Sequence, residues 1–91
     1  MAILLVTYDL KAPGRNYQPL YDYFKQYNRC KSLESVYLIE TTKTTIQVRD
    51  ELNSLRDSND VIFIAKLSRS WGAINFKACA DWLNDPARDW S

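Results

Sequence analysis

A short apolar run near the start of the chain constrains the fold most. Residues 3–10, Ile-Leu-Leu-Val-Thr-Tyr-Asp-Leu, have the aliphatic and β-branched content of a buried strand. The Lys-Ala-Pro-Gly sequence at residues 11–14 has the turn chemistry that ends such a strand. With 91 residues, of which 46% are apolar and 25% charged, the chain has room for one small core. We therefore expect a single domain over residues 1–91, built around an N-terminal strand.

Two amphipathic helices are expected to alternate with the strands. Asn16 is the expected N-cap of the first helix, and the polar residues 28–32 end it. Thr44 and Gln47 have the spacing of a capping box at the start of the second helix, which the polar residues 56–60 end. The first helix has its apolar stripe at i, i+3, i+4 and i+7, formed by Leu20, Tyr23, Phe24 and Tyr27.

The remaining segments predict further strands and a short third helix. Residues 33–41 are interpreted as the second strand and residues 61–67 as the third. The third strand is apolar on both sides at its start, which is typical of a central or doubly covered strand. Residues 73–76 predict a short final strand, residues 78–83 one or two helical turns, and residues 87–91 a tail.

The element order is β-α-β-α-β-β in its simplest form, and β-α-β-β-α-β-β-α if every weaker segment is counted. We interpret it as an α+β fold, a ferredoxin-like β-α-β-β-α-β sandwich with two helices on one face of an antiparallel sheet. Residues 78–91 then form a C-terminal extension. Because a chain of this length has a small core, a homodimer is expected on size alone.

Composition excludes several kinds of site. The chain has no histidine and no Cys-x-x-Cys sequence, which excludes a structural zinc site and a Cys/His or Ser/His nucleophile. Cys30 and Cys79 are interpreted as two thiols in a reducing cytoplasm, with a single disulfide as the alternative. No apolar run approaches the ~20 residues that span a bilayer, and the N-terminus lacks a basic segment before its apolar run. We expect neither a membrane anchor nor a signal peptide.

Asp9 is the best candidate for chemistry. It places a carboxylate at the end of the first strand, beside a turn that is rich in hydrogen-bond donors. Mg²⁺ takes oxygen ligands and keeps several waters, so one or two carboxylates are enough to hold it. In the alternative, the Asp9 carboxylate accepts hydrogen bonds from the turn amides of residues 11–15 and has no further role.

Three short motifs resemble a known family. Tyr8-Asp9 at the end of the first strand, Arg15 in the turn and Ser35-Val36-Tyr37 in the second strand are similar to the small CRISPR-associated endoribonuclease family, which also serves as an adaptor in spacer integration. SinR-like proteins and the virulence-associated protein D ribonucleases resemble the chain in the same way. The resemblance covers about residues 1–67.

This resemblance implies a ferredoxin-like homodimer that cleaves a phosphodiester of RNA or DNA. The strand-end Asp9 of each subunit would hold Mg²⁺ or Mn²⁺ between them. Arg15 would steady a phosphate, and Ser35 would line the same cleft. The net charge of +1 gives no electrostatic support for a nucleic-acid partner, so such support has to come from local clusters.

Basic and aromatic side chains near the first helix are further candidates for nucleic-acid contact. Lys11 belongs with Arg15 to a loose basic set that also includes Lys25, Arg29 and Lys31, with solvated surface charge as the alternative. Tyr17 and Tyr21 lie off the apolar stripe and are candidates for base stacking. The acidic residues Glu51, Asp57 and Asp60 are interpreted as a helix end and a loop, not as a metal cluster.

The C-terminal tryptophans suggest contact with another chain. Trp71 and Trp82 are candidates for a dimer or partner interface, because tryptophan is enriched at such surfaces. In the alternative they close the core of their own chain, and Trp90 is disordered. If the protein has no catalytic activity, the competing function is a dimeric adaptor that binds a protein partner, which the lack of a general base favours.

Overall fold

The structure is a computed structural model that describes residues 1–90. Its strands are β1 (Ala2–Asp9), β2 (Asn28–Leu33), β3 (Val36–Thr41) and β4 (Val61–Lys66). Its helices are α1 (Gln18–Tyr23), which continues as a 3-10 turn over Phe24–Gln26, α2 (Thr45–Asn53) and α3 (Lys77–Asn84). The chain is an α+β structure, as expected, with one antiparallel sheet in the order β2-β3-β1-β4.

The sheet separates two apolar clusters, because successive side chains of β1 point to opposite faces. Leu4 packs with Phe24 of the 3-10 turn and Leu52 of α2. Ile3 packs on the other face, with Leu83 of α3. The molecule therefore has three layers, with α1 and α2 on one side of the sheet and α3 on the other. None of the helices within residues 1–90 is long and apolar enough to cross a membrane.

The second strand differs from the prediction. The chain turns at Glu34 and Ser35, so residues 33–41 are not one strand, and residues 28–33 form β2 where the end of a helix was expected. β2 lies at an edge of the sheet, and Cys30 is its only half-buried residue. An exposed edge strand needs no apolar alternation, so periodicity could not reveal it.

The expectation of a central or doubly covered third strand is also wrong. The corresponding strand, β4, lies at the other edge of the sheet and pairs only with β1. Its apolar side chains at Val61 and Phe63 are 53% and 61% exposed. An apolar run reports the composition of both faces of a strand, but it does not report whether anything covers them.

The segment that joins β4 to α3 is a loop, so the strand predicted over residues 73–76 is wrong. Asn75 has a φ of 58°, which lies in the left-handed region that strands exclude. Ile74 is 96% exposed. The helical turns predicted over residues 78–83 are confirmed, since they lie within α3.

The predicted helix starts differ in accuracy. The capping box of α2 is confirmed: the Gln47 amide donates to the Thr44 hydroxyl at 3.1 Å, and the Thr44 amide donates to Gln47 Oε1 at 2.8 Å. Asn16 lies one residue before the N-cap of α1, which is Tyr17. Its Oδ1 still accepts the Gln18 amide at 3.0 Å, so the expected polar group serves the first turn from a neighbouring position.

The two cysteines form a disulfide, which corrects the interpretation as free thiols. Cys30 on β2 and Cys79 on α3 are joined across 49 positions, with Cα atoms 5.7 Å apart. Because β2 and α3 were not expected to be neighbours, no sequence pattern favoured the bond over two free thiols. The disulfide attaches the third layer to the sheet.

The C-terminal segment is packed against the sheet, so the alternative in which Trp90 is disordered is wrong. Trp90 is 3% exposed and its indole nitrogen donates to the Leu83 carbonyl at 3.2 Å. The guanidinium of Arg69 lies 3.9 Å from the centre of the Trp90 ring and donates to the Trp90 carbonyl at 2.8 Å. Of the predicted tail, residue 91 lies outside the described residues.

Candidate functional site

A buried carboxylate ties together the two loops at one end of the sheet. Asp60, immediately before β4, is 7% exposed. It accepts the Lys11 amide at 2.6 Å, the Asp57 amide at 2.8 Å and the Tyr17 hydroxyl at 2.7 and 2.8 Å. The Tyr17 oxygen in turn accepts the Ala12 amide at 3.2 Å. Asp60 therefore fixes the β1–α1 loop against the α2–β4 loop.

These contacts shift the pKa values of both Asp60 and Tyr17. Desolvation opposes the charge on Asp60, but the hydrogen bonds from Lys11 and Tyr17 outweigh it and hold the pKa of this carboxyl below its ordinary value. Desolvation and the bond to Asp60 raise the pKa of Tyr17. Asp60 is therefore charged at neutral pH, and Tyr17 is its protonated donor.

Asp9 is left without a structural task. Its carboxylate is 69% exposed, and its one charged partner within residues 1–90 is Lys11 Nζ at 3.5 Å. The turn amides that it could have accepted are used elsewhere: that of Lys11 donates to Asp60, and that of Arg15 donates to the Ala12 carbonyl at 2.9 Å. Alternation along β1 places Asp9 on the same face as Ile3, away from α1 and α2.

The other predicted site residues lie around the same end of the sheet. Ser35, in the β2–β3 turn, accepts the Tyr8 amide on its carbonyl at 3.2 Å, which places this turn beside the end of β1. Arg15 lies 3.8 Å from Asp57 and 5.9 Å from the centre of the Tyr17 ring. The fold therefore brings these distant residues to the same end of the sheet. The two cations there already have acidic neighbours, since Lys11 lies beside Asp9 and Arg15 beside Asp57.

One chain alone does not provide a metal cluster. Among residues 1–90 no group of three or more acidic or cysteine side chains could hold an ion. Asp9 offers a single accessible carboxylate, which suits a cation that keeps most of its waters. A second copy of the chain would bring a second carboxylate to Mg²⁺ or Mn²⁺ at this position.

A second polar cluster, not expected from the sequence, joins the end of α1 to α2. Glu51 accepts the Tyr23 hydroxyl at 2.6 Å and Lys43 Nζ at 2.9 Å. Tyr27 accepts from Lys43 at 3.1 Å, and the two tyrosine oxygens are 2.7 Å apart. Hydrogen bonds from Tyr23 and Lys43 lower the pKa of Glu51, and the bond to Glu51 raises that of Lys43. The polar groups of this cluster form hydrogen bonds with one another, so its role is to hold the end of α1 against α2.

The tryptophans predicted for an interface are half-buried against their own chain. Trp71 and Trp82 pack on the cluster that α3 shares with the sheet. Trp82 donates to Asn28 Oδ1 at 3.2 Å, and the Arg88 guanidinium lies 3.9 Å from its ring centre. Beside Trp71 an open apolar groove of about 130 Å³ remains, with Leu33 and Val36 on its sheet side.

No protein-family model matches the chain, and no solved structure matches it.

Removing the Asp60 carboxylate is expected to loosen both loops. Asp60→Ala leaves two backbone amides and a tyrosine hydroxyl without their acceptor, so the free energy of unfolding should fall by about 2 kcal/mol. Urea denaturation at neutral pH measures this loss. Asp50→Ala removes an exposed, ion-paired aspartate of α2 and should change stability by less than about 0.5 kcal/mol. Equal effects of the two substitutions would contradict the assigned role.

The hydrogen bonds to the Asp60 carboxylate also predict how the free energy of unfolding depends on pH. Because the pKa of Asp60 is lower in the folded chain than in the unfolded chain, its contribution is complete above the unfolded value of about 3.9. It disappears as the pH falls through the folded value. The stability difference between the wild type and Asp60→Ala should therefore shrink below about pH 4, and a constant difference would contradict the ionised state.

Proposed function

We propose that the protein is a homodimeric nucleic-acid-processing protein, similar to the CRISPR-associated metal-dependent endonucleases, with Asp9 as its metal ligand. We also propose that its fold is ferredoxin-like. The strand order β2-β3-β1-β4 and the placement of α1 and α2 on one face support this fold.

The observation that carries the proposal is the unused carboxylate of Asp9. An aspartate at a strand end often accepts hydrogen bonds from the amides of the adjacent turn. Here Asp60 accepts the Lys11 amide, together with that of Asp57. Asp9 is left exposed beside Lys11, at the end of the sheet where Ser35 and the Arg15 loop also lie. This arrangement leaves an oxygen ligand available to a cation and to a second copy of the chain.

The residues of this end of the sheet have separate tasks. Asp9 from each of two copies would hold the ion, while Lys11 and Arg15 would neutralise phosphate oxygens on either side of it. The Asp60 network would keep the Arg15 loop in place. The ion, when bound, would supply activation of water and compensation of charge on the leaving oxygen. Hydrolysis of this kind joins a water oxygen to phosphorus and releases an alcohol, so it needs no redox partner.

A specific observation favours the second candidate, a catalytically silent adaptor that binds a protein partner. The apolar groove beside Trp71 remains open, and its rim carries Leu33 at 51% exposure and Ile74 at 96% exposure. Apolar surface of this kind marks interaction sites. An adaptor also needs no general base, and no group near Asp9 in the described chain is placed to act as one.

The location of the protein remains a prediction. A cytoplasmic protein was expected from its two cysteines as free thiols. The Cys30–Cys79 disulfide supports an oxidising compartment instead, because reducing compartments keep most thiols reduced.

Cleavage of labelled RNA and DNA with and without Mg²⁺ or Mn²⁺ tests the proposed activity. Asp9→Asn keeps the shape of the side chain but removes its charge, so metal-dependent cleavage should fall at least about a hundredfold. The fold should be unaffected, because Asp9 is exposed. Asp81→Asn, which removes an exposed aspartate paired with Lys77 on α3, should retain full activity. Cleavage that survives Asp9→Asn, or a folded dimer without cleavage, would leave the adaptor as the better account.

A further inference from the structure

The two edges of the sheet are protected very differently. Edge strand β2 carries Arg29 and Lys31, and its pairing with β3 shifts register between Cys30 and Leu33. Charges and bulges of this kind prevent another strand from pairing with an edge. Edge strand β4, Val-Ile-Phe-Ile-Ala-Lys, has no proline, a single charge at its last residue and an unbroken register with β1. Its edge therefore lacks the protection that the other edge has.

The backbone groups at the free edge of β4 can be identified. The Leu67 amide donates to the Ile3 carbonyl at 2.8 Å, so the odd-numbered residues of this segment bond to β1. The amides and carbonyls of Ile62, Ile64 and Lys66 consequently point away from the sheet. They form an evenly spaced row of donors and acceptors along a strand of six residues, which is about 20 Å long.

A groove runs beside this row, between β4 and α2. It consists of three adjoining cavities of about 250, 140 and 310 Å³. The first two share Arg49 and Ile62, and the second and third share Thr45. The first two cavities therefore follow β4 from Asp60 to Ile64, and the third reaches Lys66 and continues over Ala2 and Leu4 of β1.

The charges along this groove are mainly positive. Arg49 bonds to its neighbour Asp50 at 2.9 Å. Arg56 donates to Asn53 Oδ1 and to two loop carbonyls, and within residues 1–90 neither it nor Lys66 has an ion-pair partner. Among residues 1–90 the one carboxylate that lines the groove is that of Asp60, and the hydrogen bonds described above hold it in place. An occupant with acidic side chains on this side would be favoured.

We propose that the free edge of β4 binds an extended, acidic segment of a partner protein as an additional strand. Side chains of an added strand alternate between two faces. Acidic side chains would point toward Arg49, Arg56 and Lys66, and apolar side chains toward the exposed Val61 and Phe63. This binding is independent of the Asp9 proposal, because it uses the edge of the sheet and not the carboxylate of Asp9.

Fluorescence anisotropy with a labelled peptide tests this directly. The probe is the alternating peptide Val-Glu-Val-Glu-Val-Glu-Val, and its control replaces each glutamate by lysine. The acidic peptide should bind at least about tenfold more tightly than the basic one. Two further versions of the acidic peptide carry N-methyl groups on alternate amides, in the two possible phases. One phase blocks the amides that face β4 and should abolish binding, whereas the other should leave it intact.

Protein variants locate the site. Arg49→Glu with Arg56→Glu should weaken binding at least about tenfold, while Arg29→Glu with Lys31→Glu on the β2 edge should change it less than about twofold. Thermal melts show whether each variant is folded, and the N-methyl comparison needs no variant. Asp9→Asn should bind the peptide normally, which separates this test from that of the proposed function.

Three results would overturn the proposal. The first is no binding of the acidic peptide by the folded wild type below about 1 mM. The second is equal binding of both N-methylated versions, since strand addition requires one set of amides. The third is a chain that self-associates through β4, with a dimer that excess acidic peptide does not dissociate, because a second copy would then be the occupant.

Discussion

Loss of the Cys30–Cys79 disulfide should lower the free energy of unfolding by about 4 kcal/mol. The bond closes a loop across 49 positions, and a loop of that length is expected to restrict the unfolded chain by this amount. The effect is large for a chain of this size, because it compares with the whole stability of many small domains. Cys30→Ser with Cys79→Ser should show it in urea denaturation.

The wild type provides the matched comparison. In the presence of a dithiol reductant it should lose as much stability as the double serine variant, and the reductant should not affect that variant. Alkylation of the denatured, unreduced protein should modify neither cysteine. Two alkylated cysteines, or a wild type that is insensitive to reductant, would restore the interpretation as free thiols.

Arg88→Ala should be comparably damaging, with a loss of about 3–4 kcal/mol. The ion pair between Arg88 and Glu40, at 3.3 Å, is nearly buried, with side chains 8% and 12% exposed. Removing the cation leaves the nearly buried Glu40 carboxylate without an ion-pair partner and with only the long hydrogen bond from Asn28 Nδ2 at 3.4 Å, and such one-sided losses are costly. The variant also loses the guanidinium that covers the Trp82 ring and donates to the Trp82 carbonyl.

Two further variants show whether the buried charge is the cause. Adding Glu40→Leu to Arg88→Ala should recover part of the stability, because no unpaired charge then remains between β3 and the segment after α3. Lys77→Ala removes an exposed helical pair with Asp81 and should cost less than about 0.5 kcal/mol. If Glu40→Leu gave no recovery, the loss would be due to packing of the Arg88 side chain.

The parts of the fold that the sequence predicts are those with a local signal. The β1 run, the capping box of Thr44 and the apolar stripe of α1 each depend on residues within about one or two turns of one another. Phe24 and Tyr27 are buried as their spacing indicated, although Phe24 lies in the 3-10 turn and Tyr27 lies just beyond it in extended backbone. Edge strand β2 could not be found in this way, because a solvent-exposed strand buries only Cys30, and a single position has no period.

Long-range contacts explain the remaining differences. The structural role of Asp60 depends on hydrogen bonds from Tyr17 and Lys11, which lie 43 and 49 positions away in the sequence. A local pattern could not reveal these bonds. The same separation left both interpretations of Asp9 open, because the sequence does not show that Asp60 accepts the Lys11 amide in its place. The alternative in which Trp90 is disordered is wrong because Leu83 of α3 and Arg69, which belong to separate segments of the chain, cover its ring.

The number of Mn²⁺ ions bound per chain tests the central claim most directly. If Asp9 carboxylates of two copies hold one ion, electron paramagnetic resonance titration of the dimer should saturate at one Mn²⁺ per two chains. Asp9→Asn should abolish this binding while light scattering still shows a dimer. One ion per chain, binding unchanged by Asp9→Asn, or no ion bound by a well-folded dimer would contradict a shared Asp9 site.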